Sequence, residues 1–416
     1  MADATTATTA HASAYAAEEA QGAARDRGEP AWLVEGRAEA ARAFAATPMP
    51  TPRLRPWKYT DLAGLTIEDH APAPTFAPHV GASVPPGGFA GTLADALADA
   101  AHASTVEQSL GSVVAATEGK FIAANAAMWT GGAFVHAPRG AVFESPVTVD
   151  LDGVDVASGG AVFPRLLVVA EPRSEVVIIV RHRSGDPALL VSSVIEVVAG
   201  EESHVRILLD GGWGDATREF TTLRSRVGKN ADVQVASLAL GGLVVKQTIE
   251  ALIEGEGANS LIRGVALGDG EQHFDFVTLQ DHSGPRTTSG VEIKSALAGG
   301  SRSVYYGITR VESTAAGAAA NQENRNLLLS DRAKADSDPV LEILTSEVIR
   351  CGHGATVGPV DQEALFYLQS RGLEYRAALK LLVGGFFDSV LGDIALTDIA
   401  EELHERVEQK ISVAEL

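Results

Sequence analysis

The chain is 416 residues long, with 54 acidic against 33 basic residues and a net charge of −21. That charge excludes a general binder of nucleic acid or anionic membrane, which it would repel. Apolar residues make up 45% but aromatics only 6%, predicting a core of Val, Leu, Ile and Ala, and the single cysteine excludes an internal disulfide or a self-contained Cys-rich zinc or iron–sulfur site.

Residues 1–28 lack a basic start and a hydrophobic core, so they predict a disordered Ala/Thr-rich tail and not a secretory signal. No apolar run reaches the length of a membrane span, and the expectation is a cytoplasmic protein. Residues 29–110 read as an N-terminal helical region and connector. From Trp32, "WLVEGRAEAARAFAATPMP" has helical spacing with Leu33, Ala40 and Phe44 buried, and Pro48 and Pro50 end it. "RPWKYTDL" places Trp57 and Tyr59 two apart on an extended element, expected as a plug that anchors this region and not as a ligand-stacking pair. Residues 72–96 form a Pro/Gly-rich connector, and "LADALADAAHAS" adds a short helix.

A β-helix core is expected over 111–358. Short β-branched runs such as "EVVIIVRH" and "SSVIEVVA" alternate with turns of one form: a Gly or Glu, two residues, then Ser, Ala or Thr. The turns begin at Glu171, Gly200, Gly228, Gly255, Gly284 and Glu312, spaced 29, 28, 27, 29 and 28 residues apart, with a further turn near Gly300 out of phase. Near-equal spacing predicts stacked coils of about 28 residues, each burying its apolar side chains only by stacking on the next. Both ends of such an array need covering.

Residues 359–416 read as a helical domain. One helix starts near Asp361 and ends at Gly372 in a left-handed cap; the next carries Leu373, Ala377 and Leu381 on its apolar face. Within it Gly384 and Gly385 predict a kink or a close backbone contact, Phe386 and Phe387 read as core, and Thr397 as the N-cap of a last helix.

Phosphate-loop, nucleophile-elbow, zinc-protease and dinucleotide fingerprints are absent from the sequence. His136, His182, His204, His273 and His282 read as structural or surface residues, although His273 and His282 could meet across a turn. "RCGHGATVG" is different. Cys351 and His353, two apart on an extended chain, project to one face, which suits a shared soft metal or an imidazole that lowers the thiol pKa. Two ligands do not complete a tetrahedral site, so a second chain or a substrate cluster would have to supply the rest.

The segment from Cys351 to Phe386, "CGHGATVGPVDQEALFYLQSRGLEYRAALKLLVGGF", resembles the C-terminal signature of the SufB/SufD family of iron–sulfur cluster assembly proteins. "PWKYTDL" and "NQENRNLLLSDRAKADSDPVLEI" resemble further family motifs, and "HGATVG" with glycine at 354 resembles the SufD branch. The resemblance implies a right-handed parallel β-helix flanked by N- and C-terminal helical regions. It implies a non-catalytic scaffold subunit of a cytoplasmic complex, pairing with SufB and docking the ATPase SufC through residues 359–416, with a homodimer conceivable when SufB is missing. His353 is carried over as an iron or iron–sulfur ligand facing SufB, with Cys351 the weaker candidate; the cluster is transient at that interface, and none is bound tightly by this chain alone. The competing expectations are a β-helix enzyme acting on polysaccharide, with paired carboxylates in a groove, and a self-associating structural solenoid.

Overall fold

The computed structural model describes residues 11–185, 187–391 and 405–412. The strands run β1 (Ala71–Pro72), β2 (His79–Gly81), β3 (Phe89–Thr92), β4 (Gly132–Ala137), β5 (Val147–Asp152), β6 (Gly160–Val162), β7 (Arg165–Ala170) and β8 (Glu175–Arg183). They continue as β9 (Leu189–Ala199), β10 (His204–Gly212), β11 (Arg218–Val227), β12 (Asp232–Ala239), β13 (Val244–Ile253) and β14 (Asn259–Gly268). The last six are β15 (His273–His282), β16 (Thr288–Leu297), β17 (Arg302–Val311), β18 (Ala318–Leu328), β19 (Lys334–Ile343) and β20 (Val348–Pro359).

From β7 onward the chain alternates between two sheets. One is ordered β19-β17-β15-β13-β11-β9-β7-β4-β3, the other β2-β5-β8-β10-β12-β14-β16-β18-β20. Apart from β2–β5 and β3–β4, the strand pairings are parallel. The result is a parallel β-solenoid of eight coils, one strand per sheet in each, with helices at both termini.

Alternation along each strand fixes what the solenoid holds inside. On the second sheet one inward column reads Ile178, Ile207, Val235, Ile262, Val291, Gln322 and His353. The next reads Val176, Val205, Val233, Ser260, Ser289, Ala320 and Cys351. Burying each of the early Val and Ile side chains contributes about 1.5–3 kcal/mol. The interior is therefore apolar in the first coils and becomes polar toward the last ones.

The six similar turns all join the first sheet to the second and stack along one edge. The Gly228 amide donates to Ala199 O at 2.9 Å, that of Gly255 to Val227 O at 3.0 Å, and that of Gly284 to Ile253 O at 3.0 Å. A Cβ at Gly255 would run into the Gly228 backbone, so only glycine allows this approach. The third turn residue takes a positive φ at Arg173, Glu202, Asn230, Gly257 and Arg286. The fourth (Ser174, Ser203, Ala231, Ala258, Thr287, Ala315) is buried in the corner, which explains why it is always small. The out-of-phase turn at Gly300 belongs to the opposite edge. The repeat widens from 28 residues (His204 to Asp232) to 31 (Ser289 to Ala320), because the turn after β17 is longer.

Several expectations need correction. The coils begin at Gly132, not 111; residues 120–128 form the helix Lys120–Met128 against the first coils. The expected tail over 1–28 is helical at 11–14 and over Ala17–Asp26. Tyr15 stacks on Phe44 at 5.3 Å, and Ala20 packs with Ala40, Ala41 and Ala127, a contact that small side chains permit. Residues 1–10 lie outside the described part. The helix Ala31–Ala46 buries Leu33, Ala40 and Phe44 as expected, and Leu93–Ala98 is helical with Thr92 as its N-cap.

At the other end, Gln362–Ser370 is helical with Asp361 capping it, and Gly372 takes φ 94°. The helix Tyr375–Leu391 is continuous through Gly384 and Gly385, where an added Cβ would meet no heavy atom within 4 Å. The expected apolar face is the wrong one: Leu373, Ala377 and Leu381 are exposed, while Ala378, Leu379, Val383, Phe387 and Val390 are buried. Val383, Phe387 and Val390, with Val407 and Ile411, pack on Leu208, Leu238, Val265 and Leu267, the outer face of the second sheet. The C-terminal helices thus fold along the side of the solenoid and leave the edges of β19 and β20 without a partner strand among the described residues. Thr397 lies outside the described residues.

Candidate metal-ligating site

Cys351 and His353 sit on β20, opposite Ala320 and Gln322 of β18. They share one face, as their spacing predicts, and that face is the inward one. In earlier coils these columns are roofed by the next strand. On β20 no further strand follows among the described residues, and Cys351 is half-buried and His353 exposed. Gly354, also on β20, has no heavy atom within 4 Å of an added Cβ, so its side of the strand is open.

Partial burial raises the Cys351 thiol above its ordinary value, and among the described residues no cation offsets it. The expectation that the imidazole lowers the thiol pKa is therefore not met. Among the described residues no three His, Cys, Asp or Glu side chains group as a metal site, so Cys351 and His353 are two donors without a third from that part of the chain. An imidazole nitrogen and a thiol are borderline and soft ligands that suit iron or a cluster edge.

The floor of the site was not read from the sequence. Beneath His353, Gln322 donates from Nε2 to Val340 O at 2.9 Å and accepts at Oε1 from the Tyr305 hydroxyl at 2.9 Å. Asn324 and Asn326 continue the polar row. The signal existed in "NQEN", but it becomes visible only once β18 is registered on β16.

The other candidate histidines are structural or, in the case of His204, exposed at the surface. His273 and His282 lie at opposite ends of β15 and do not meet. His282 is bonded to Thr287 and Ser289, each at 2.8 Å, and burial lowers it to about 4. His182 stacks on Trp213 at 5.1 Å, and burial lowers it to about 3. His136 meets Glu171 at 3.2 Å, and His204 lies 4.0 Å from Asp232. His273 is bonded to Thr60 at 3.0 Å.

Trp57 acts as the expected anchor, stacking on Phe121 at 5.5 Å and lying against Phe220, although Arg55–Trp57 is a 3-10 turn and not extended. A second surface stands out on the C-terminal helices. Phe366 is 72% exposed and Leu381 59%, with Tyr367, Leu373 and Tyr375 beside them in the sequence also exposed.

A solenoid with this open end matches a known class. The family model for the SUF system FeS cluster assembly, SufBD core domain, covers residues 154–386, which include β20. The chain belongs to the SufBD family of iron–sulfur cluster assembly proteins. It is 31% identical to the SufBD family protein of Mycobacterium tuberculosis (strain ATCC 25618 / H37Rv) over 65% of this chain and 68% of that one. It is 28% identical to the iron–sulfur cluster assembly protein SufD of Bacillus subtilis over 92% of this chain and 95% of that protein. SufB of the same organism is 28% identical over only 66% of this chain and 59% of its own length. The match to SufD of Bacillus subtilis thus runs nearly end to end.

Proposed function

We propose that this chain is a SufD-like, non-catalytic subunit of a cytoplasmic SUF complex, and that its open end faces a SufB-like partner. The observation that carries this is the position of His353. It occupies an inward column that every earlier coil covers, on a strand whose outer edge has no partner among the described residues. An uncovered strand of twelve residues is a template for strand addition by another chain. The similarity to SufB supports a partner with the same core and a comparable open end. His353 then supplies one imidazole, Cys351 at most a weak second ligand, and the partner the thiolates of a transient iron–sulfur cluster. The same edge would serve a homodimer when SufB is missing. The exposed stripe from Phe366 to Leu381 is the docking face for a SufC-like ATPase, whose hydrolysis changes the pose of the two solenoids.

The test is to purify the complex of this chain with its SufB-like and SufC-like partners as wild type and as His353→Ala. Because His353 is exposed, the variant complex should assemble normally and lose most of its reconstituted iron and sulfide. Cys351→Ser should lose far less. Wild-type cluster content in His353→Ala would reject the ligand role.

A further inference from the structure

On the outer face of the first sheet, and so apart from β20 on the second, two neighbouring columns run across the coils. One reads Thr222, Thr248, Val277 and Tyr306, the other Arg224, Glu250, Leu279 and Ile308. Between these columns and the strap of residues 47–57 lies a groove of about 610 Å³. The strap lines it with Pro48, Met49, Pro50 and Leu54. Trp57, Phe121 and Phe220 line it as well, the last two with their rings stacked at 4.0 Å. A mainly apolar groove of this size, with a few polar groups converging on it, suits a small organic molecule.

The polar groups set the sign of the ligand. Of the cations lining the groove, Lys246 is paired with Asp275 at 2.6 Å and Lys120 with Glu68 at 2.9 Å. Arg224 alone faces two carboxylates, Glu118 and Glu250, each 2.6 Å away. Its remaining amino group donates to Val113 O at 2.9 Å, so it has little left to offer an incoming anion. Glu250 accepts from Arg224 through Oε2, which leaves Oε1 without a donor among the described residues. Thr222 and Thr248 are register partners in the adjacent column, and their half-buried hydroxyls have no partner among the described residues. Burial raises the Glu250 carboxyl above its ordinary value; Arg224 opposes this, while Glu118 and Asp281 add to it. A cation beside Oε1 would be held by the same uncompensated negative charge. From this we infer that the groove binds a small organic cation, an ammonium or amidinium carried on an apolar ring. Its N–H groups meet Glu250 Oε1 and the two threonine hydroxyls, and its ring lies against Phe220, Val277 and Leu279. The inference does not depend on the ligand role of His353.

The experiment titrates the full chain with naphthylmethylammonium and with naphthoate, which carries the same ring and the opposite charge, by calorimetry. The wild type should bind the ammonium at least about 10-fold more tightly, the worth of one charge-assisted hydrogen bond. Glu250→Gln keeps the shape of the side chain and leaves Arg224 its bond to Glu118, and it should erase that preference. Thr248→Phe puts a ring on the floor of the groove and should weaken ammonium binding at least about 10-fold. If either variant fails to fold, the comparison of the two probes on the wild type decides the matter. Equal affinity for both probes, or undiminished ammonium binding by folded Thr248→Phe, overturns the inference. Ammonium binding that appears only after residues 1–10 are removed would give the groove to the chain's own N-terminal segment, and overturns it too.

Discussion

Lys246 on β13 and Asp275 on β15 are register partners whose ammonium and carboxylate lie 2.6 Å apart, with side chains 2% and 1% exposed. The same ammonium donates to Pro56 O at 2.5 Å and sits 4.7 Å from the centre of the Trp57 ring, while the Thr60 hydroxyl donates to Asp275. This ion pair is thus what ties the segment around Trp57 to the outer face of the first sheet. Burial lowers the Lys246 ammonium below its ordinary value, and Asp275 opposes part of that. Removing one partner leaves the other charge buried and unpaired, which typically costs about 3–5 kcal/mol. Lys246→Ala should lower the urea midpoint accordingly and make the chain near Lys58 more susceptible to trypsin. The double variant Lys246→Met, Asp275→Leu should regain much of the loss. An unchanged midpoint in Lys246→Ala would show that the strap is held by aromatic packing alone.

A second prediction concerns pH. Glu219 points inward from β11, and burial pushes its carboxyl up to about 7 from 4.5, against hydrogen bonds from Thr221 and Gln247. The folded state therefore holds the proton more tightly than the unfolded one. Its contribution is whole below about pH 4.5 and is lost as pH rises to about 7. Glu219→Gln should be insensitive to that loss. Relative to the variant, the wild type should lose on the order of 3 kcal/mol across this window. His182 and His282 act in the opposite sense: lowered to about 3 and about 4, they destabilise the fold as pH falls below 6.5. Unfolding midpoints from pH 4 to 8 for both chains check the sign, and parallel curves would contradict the buried-acid assignment.

The turn edge gives a third. Gly255→Val forces a side chain into the Gly228 backbone, so it should destabilise by at least about 2 kcal/mol, in the range of strained backbone substitutions. Gly354→Ala, with open space around it, should leave the midpoint unchanged. Equal effects in thermal unfolding would mean that the coils do not stack on that edge.

What the sequence conveyed was local or periodic. The six turns and the shared face of Cys351 and His353 are properties of spacing alone, and the coils realise both. Gln322, Tyr305 and Gly307 carry no such signal, because their meeting depends on coil-to-coil register and on two sheets facing each other. The buried face of the helix Tyr375–Leu391 is not legible in the sequence for a related reason. Leu381 and Val383 are equally apolar in sequence, and only docking on Leu208 and Val265 decides which of them is covered. The N-terminal Ala-rich stretch resembles a tail in composition, and composition alone does not show that Ala20 and Ala24 are buried, Ala20 against a neighbouring helix.

The exposed side of that C-terminal helix leads to the last prediction. Phe366, Tyr367, Tyr375 and Leu381 on the C-terminal helices, and Leu373 between them, are exposed, while Val383, Phe387 and Val390 of the longer helix pack on the solenoid. Large exposed aromatic and aliphatic side chains gathered on two consecutive helices mark an interaction surface more often than isolated ones do. Because these side chains contribute little to the fold, Phe366→Glu and Leu381→Glu should change the unfolding midpoint by no more than about 0.5 kcal/mol. If the proposed docking face is right, each charge should nevertheless weaken association with the proposed SufC-like ATPase at least about 10-fold, the cost of truncating one well-buried interface anchor. Co-purification and titration calorimetry with that ATPase measure the effect. Asp361→Ala tests a different link: it removes the cap of Gln362–Ser370, where its carboxylate accepts from the Glu363 and Ala364 amides. It should weaken binding only as far as it frays the helix, by about 1 kcal/mol. Full-strength ATPase binding by the Phe366→Glu, Leu381→Glu double variant would move the docking face elsewhere on the chain.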